Sequence, residues 1–188
     1  MRILLKKFTY LSFILICIGF VTLSLSMDRN MYTEPSIHGK ALYGFIAKMG
    51  RELGKKYKMS PIGPGGGATP EGIWLMMLSF EREGNPLTEG EARQLIIDCV
   101  DDFLNAVNND RELKPFLKIY PFTAKNLRLT IFNYDKKRVL HYFPSIAVVT
   151  SSKGEIGYLT EDPSTIQGYH TEKYETHEEA VAILKNAH

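Results

Sequence analysis

Apolar residues return at three- and four-residue steps through Ile37, Ala41, Leu42, Phe45, Ile46, Met49 and Leu53, the spacing of one helix face. Ser36 stands before them as an N-cap, and Pro61 with a glycine cluster stops them, so a helix is expected from Ser36 to about Tyr57. A second stripe joins Ile96, Cys99, Val100, Phe103 and Val107. It follows Thr88 and Glu91, whose three-residue spacing makes a capping box, and it predicts a helix from about Glu89 to Asn108. Between the two lies Ile73–Phe80, IWLMMLSF. This continuous apolar run is short and ends at Gly84-Asn85-Pro86, which favours a buried strand. Ser60–Pro70, SPIGPGGGATP, reads as a loop from its composition.

The second half changes period. Leu127, Leu129 and Ile131 alternate with Arg128 and Thr130, predicting a strand over Leu127–Tyr134. Asp135–Arg138 is a turn, followed by a longer strand, Val139–Thr150, in which Pro144 marks a bulge or an edge. Ser151–Gly154 turns the chain into a strand from Glu155 to Thr160. A loop over Glu161–Gly168 then leads to a last strand, Tyr169–Glu175. Thr176 caps a terminal helix with Glu178 and Glu179 in its first turn and Lys185 in its last, as the helix dipole favours. Short turns suit antiparallel neighbours. The expected class is α+β: a mostly antiparallel sheet of four to five strands with about three helices packed on one face.

The first residues obey another rule. Met1–Tyr10 carries Arg2, Lys6 and Lys7 and no acid; Leu11–Leu25 is uncharged and apolar; Ser24-Leu25-Ser26 places small residues at a cleavage site. That order is a secretory signal. Counted from Phe8 to Leu25, the uncharged run sits at the short end of the roughly 17–25 residues that span a bilayer. Residues 1–26 are therefore expected to be a signal peptide or an N-terminal membrane anchor, 27–35 a linker, and 36–188 a single α+β domain. The domain would be exported from the cytoplasm, either periplasmic or secreted, or held at the inner membrane through residues 8–25. Lipidation at Cys17 is disfavoured, because Ile16 stands where the bacterial signal needs a small residue.

Composition adds exclusions. Of 188 residues, 44% are hydrophobic and 23% charged, which excludes a disordered chain. The net charge of +2 includes Arg2, Lys6 and Lys7, so the remainder is nearly neutral, and nothing supports a nucleic-acid partner. Once the leader is removed Cys99 is the one cysteine left, and no intramolecular disulfide can form.

Three stretches, Lys58–Gly67, Glu91–Val100 and Tyr120–Asn126, resemble a family of small exported or membrane-anchored proteins of chlamydia-like intracellular bacteria. The resemblance covers most of the chain after the leader. It implies bacterial export and brings no site residues with it.

Candidate chemistry is sparse. The glycine run invites a phosphate-binding reading, but a P-loop continues with Lys and Ser/Thr, whereas Gly67 is followed by Ala68-Thr69-Pro70. A dinucleotide fingerprint has a strand before the loop and a helix after it, the reverse of the order here. What remains is a flexible connector, or a mobile loop in which Gly63, Gly65, Gly66 and Gly67 let backbone amides approach a ligand. There is no Gly-x-Ser-x-Gly. Cys99 falls on the apolar stripe of its helix, the setting of an inert structural thiol. His38, His141, His170, His177 and His188 show no metal-ligand spacing, so no catalytic residue, metal or cofactor is expected.

Two charge patterns stand out. Asp98, Asp101, Asp102 and Asn105 share the polar side of the second helix. Lys48, Arg51, Lys55 and Lys58 form one stripe on the first. The stripe has two possible uses: pairing with the acidic helix inside the fold, or facing anionic lipid headgroups. Lys48, Arg51, Lys55, Asp98, Asp101 and Asp102 are thus the candidate interaction surface. Tyr134, Tyr142, Phe143, Tyr158, Tyr169 and Tyr174 gather in the strand half. Strand aromatics are ordinarily cross-strand packing partners; several on a sheet face left open by the helices would instead form a binding surface.

The expected function is an exported, envelope-associated, non-catalytic module that binds a protein or another envelope component. One alternative is a small envelope hydrolase or transferase with the glycine run as its lid and Glu81, Glu83 and His141 as dispersed candidates. Another is a secreted factor acting on a host.

Overall fold

A computed structural model describes residues 36–161 and 168–186. The expectations for the leader, Cys17, the linker, residues 162–167 and His188 lie outside the described residues. Helix α1 (Ile37–Tyr57) begins where the pattern places it, with Ser36 Oγ accepting the Gly39 N–H at 3.1 Å. It ends at Lys58, whose φ of 56° is the left-handed conformation that closes helices. Leu42, Phe45, Ile46, Met49 and Leu53 are its buried apolar side chains.

The glycine run corrects the loop expectation. Ser60–Thr69 is strand β1, paired antiparallel along its length with β2 (Gly72–Glu83). The run has no hydrophobic pattern because its neighbours supply the side chains. A Cβ on Gly66 would lie 2.6 Å from the Leu75 carbonyl and 3.0 Å from Leu42 of α1. The space over Gly67 is filled by the Trp74 ring and that over Gly65 by Met77. Pro61 and Pro64 are tolerated because β1 is an edge strand, where a missing N–H breaks no ladder bond.

Helix α2 (Glu89–Asn109) starts at the expected capping box. The Glu91 N–H reaches Thr88 Oγ1 at 3.3 Å, and the Thr88 N–H reaches Glu91 Oε2 at 2.8 Å. It crosses over so that β3 (Leu127–Tyr134) can pair parallel with β2, a connection that needs such a crossover. β4 (Val148–Ser152), β5 (Glu155–Glu161) and β6 (Tyr169–Thr176) follow antiparallel. The sheet has six strands in chain order, β1 to β6, more than the four to five expected, because the glycine run is one of them. Helix α3 (His177–Asn186) closes the fold, with Thr176 Oγ1 accepting the Glu179 N–H at 3.1 Å.

The long strand expected from Val139 is also corrected: a continuous ladder begins only at Val148, and before it Leu140 and Tyr142 make single bridges to Tyr134 and Glu161. Asp135 Oδ1 accepts the N–H groups of Lys137 and Val139, at 2.8 and 2.9 Å, and so holds a turn. The Ser145 N–H then closes a second turn onto the Tyr142 carbonyl at 2.9 Å, around Pro144.

The buried residues make one cluster. It takes Met76, Leu78 and Phe80 from β2, Leu127, Leu129 and Ile131 from β3, Val149 from β4, and Ile156 and Tyr158 from β5. Register places all of these on one face. α1 packs there on β1 and β2, α2 on β3 and β4, and α3 on β5 and β6. Among the described residues the helices thus share one face of the sheet, and no helix covers the other. No helix among the described residues is long and apolar enough to cross a membrane.

Candidate interaction surface

The uncovered face can be built from register. Ser79, Thr130, Thr150 and Gly157 are successive partners across β2 to β5. They form a transverse row of small side chains. Tyr174 of β6 ends the row, lying over Gly157 where a Cβ would stand 2.8 Å from its ring. On one side of this row run Glu81, Phe132, Val148 and Leu159; on the other run Met77, Arg128, Ser152 and Glu155. Trp74, over Gly67, borders the face at β1.

Hydrogen bonds fix the polar members. Thr130 and Thr150 hydroxyls are 3.0 Å apart, and Arg128 Nε donates to Ser152 Oγ at 3.2 Å. Trp74 is 43% exposed and Tyr174 64%, far above ordinary packing partners.

The aromatic group read from the sequence therefore divides. Tyr174 is exposed on the uncovered face and Tyr134 is half-buried there. Tyr142 and Phe143 are exposed in the turn before β4, and Tyr169 is half-buried at the start of β6. Tyr158 belongs to the core on the opposite face.

That core side holds a polar cluster no local pattern announces. Tyr158 Oη donates to Glu175 Oε1 at 2.5 Å. Arg93 Nε donates to the same oxygen at 2.6 Å, and its Nη2 to Glu175 Oε2 at 3.1 Å. Arg93 also pairs with Glu89, which takes Lys173 at 2.8 Å. The Arg93 and Glu175 side chains are only 7% and 4% exposed. Burial pushes the Glu175 carboxyl up, but the hydrogen bonds from Arg93 and Tyr158 outweigh it and hold the group below the usual carboxylate range. Burial, then the Glu175 hydrogen bond, pushes the Tyr158 hydroxyl up. Two cations and two carboxylates satisfy one another, so the cluster fastens α2 to β6.

The two charged helices meet through Asp102, one of the residues singled out, but its cation is Lys56, which was not. Asp102 receives Lys56 Nζ at 2.5 Å and Tyr57 Oη at 2.7 Å. Lys48 lies 3.8 Å from Asp110, just past the end of α2. Asp98 accepts from Gln94 at 2.8 Å, and Asp101 is 3.6 Å from His177 Nε2 of α3. Arg51 and Lys55 are exposed. The sequence stripe missed Lys56 because Lys55 and Lys56 adjoin, and only helix packing decides which one leans toward α2.

Cys99 is fully buried, and its thiol is pushed up by that burial, the inert setting expected of it. Gly63, Gly65, Gly66 and Gly67 are strand residues in a ladder, so a lid built on them would first have to leave β2. Glu81 pairs with Arg138 at 2.6 Å, and His141 Nε2 meets the Gly84 carbonyl at 3.0 Å. A cavity of about 300 Å³ lies between Ala41, Phe45 and Lys48 of α1 and Asp110, Leu113 and Phe116; none of Gly63, Gly65, Gly66, Gly67, Glu81, Glu83 and His141 lines it. Set against protein families, curated proteins and solved structures, the chain matches none.

Proposed function

We propose that this chain is an exported, envelope-associated binding module whose uncovered sheet face docks another protein. The observation that carries the reading is the side-chain set on that face. Trp74 and Tyr174 stand exposed at its two borders, with Arg128 between them beside a row of small hydroxyl residues. Trp, Tyr and Arg are the residue types in which protein-binding energy concentrates. A shallow row flanked by large side chains offers a partner a continuous surface rather than a pocket. Placement in the envelope rests on the basic, apolar, small-residue order of residues 1–26 and on the family resemblance.

The test is site-specific photocrosslinking in the native host. A crosslinking amino acid in place of Trp74 or Tyr174 is expected to trap the same discrete protein adduct, while one in place of Ile183, exposed on α3, traps none. The same adduct from all three positions, or no protein adduct from the sheet face, would reject the reading. Mutating the face leaves the core untouched, so Tyr174→Ala is expected to lose the adduct formed from Trp74 while keeping the thermal midpoint within a few degrees.

A further inference from the structure

The basic stripe of α1 raised two possible uses, and the structure separates them. The acidic residue of α2 that reaches α1 is Asp102, and it is taken by Lys56 and Tyr57. Lys48 keeps 53% of its side chain exposed beside Asp110. Arg51, Lys55 and Lys58 are exposed. Their spacing keeps Lys48, Arg51 and Lys55 on the side away from the buried stripe of Leu42, Ile46, Met49 and Leu53. Glu52 is the one acid between Ser36 and Pro70.

The flanks of α1 differ. Toward the sheet centre lies α2 with Asp98, Asp101, Asp102 and, beyond its end, Asp110. Toward the sheet edge lies β1, without a charged residue from Ser60 to Thr69. On α1 and β1 three apolar side chains stand in water: Ile37 at 65% exposure, Tyr43 at 47% and Ile62 at 47%. Cations beside exposed aliphatic and aromatic groups are the composition of a surface that lies on a bilayer. The cations meet anionic headgroups while Tyr and Ile enter the interface. A domain tilted onto its β1 edge would present Arg51, Lys55 and Lys58 with these apolar groups, and keep away the α2 acids and Lys48 beside Asp110.

We infer that the α1–β1 edge is a docking surface for anionic lipid, with Arg51, Lys55 and Lys58 as the headgroup contacts. The chain supplies the reason such a surface would meet a membrane. By sequence, the apolar run Phe8–Leu25 is expected to be a signal peptide or an N-terminal membrane anchor, and residues 26–35 separate it from Ser36. This lipid-facing edge is separate from the sheet face proposed for protein, so either can fail without the other.

Ser36–His188 is one compact unit that contains the whole core, so it can be tested without the apolar run. The probe is vesicles of equal parts phosphatidylglycerol and phosphatidylcholine, against vesicles of phosphatidylcholine alone. The unit is expected to cosediment with the first and not with the second, and to be released by salt. Each neutralised cation should weaken binding about fivefold, so Arg51→Gln with Lys55→Gln should cost about 25-fold. Lys56→Gln, at the paired position, should bind as the parent does. All three exposed positions tolerate glutamine in a helix, and circular dichroism confirms folding. Equal binding to neutral vesicles, or no loss in the double variant, overturns the proposal. So does stronger retention by duplex DNA than by the anionic vesicles, which would give the stripe to another polyanion.

Discussion

Single residues explain the least readable part of this chain. Gly44 and Gly66 look alike in the sequence and do opposite things. Gly44 lies inside α1 with nothing within 4 Å of where its Cβ would be, so it carries the entropy cost of a helical glycine without a packing reason. Gly66 stands under Leu42 with the Leu75 carbonyl 2.6 Å from a Cβ. Gly44→Ala is therefore expected to stabilise the fold by about 0.4–1 kcal/mol. Gly66→Ala should destabilise it by about 1–3 kcal/mol, since the clash is with backbone that cannot step aside. Urea denaturation of the two variants checks both signs.

At the scale of elements, the helices carry their own start signals and the sheet does not. Thr88 and Glu91 satisfy each other's backbone donors, and Thr176 with Glu179 repeats the arrangement at α3, the Thr176 N–H reaching Glu179 Oε2 at 2.7 Å. Thr88→Ala removes the side-chain acceptor and is expected to cost about 0.5–2 kcal/mol, read from the denaturation midpoint, with Thr88→Ser restoring most of it. Strand β1 shows the opposite case. Its glycines carry no periodicity, and it becomes a strand because β2 offers a ladder and because Leu42, Met77 and Trp74 fill the vacant Cβ positions.

The whole molecule is tied by the Arg93 cluster, which joins α2 to β5 and β6. Truncating one partner leaves the other charge buried, so Arg93→Met is expected to cost about 3–5 kcal/mol. The same cluster sets an acid response. Glu175 titrates below its ordinary 4.5 when folded, as does Glu89, through Lys173 first, then Arg93, against some burial. A carboxyl lowered by folding adds stability above its unfolded value, and that stability is lost as pH falls through the folded one. The parent should lose stability steadily below about pH 4.5, and Glu175→Gln should flatten that loss while lowering stability at neutral pH. Denaturation midpoints taken across this range test the sign.

Local order was legible in the chain because its causes are local. The stripe from Leu42 to Leu53, the stripe from Ile96 to Val107, the alternation of Leu127, Leu129 and Ile131, and the caps at Ser36, Thr88 and Thr176 each act within a turn or a strand. They determined three helices, most strands and the α+β class. Distance decided the rest. Arg93 and Glu175 are far apart in sequence, and only packing brings a guanidinium to a buried carboxylate. Lys56 rather than Lys55 reaches Asp102 because α2 lies on that side of α1. Which sheet face stays open, and so which of Tyr158 and Tyr174 is core and which is surface, follows from where three helices find room to bury their apolar stripes. A side chain's neighbours in space, unlike its neighbours in the chain, exist only once the fold is made.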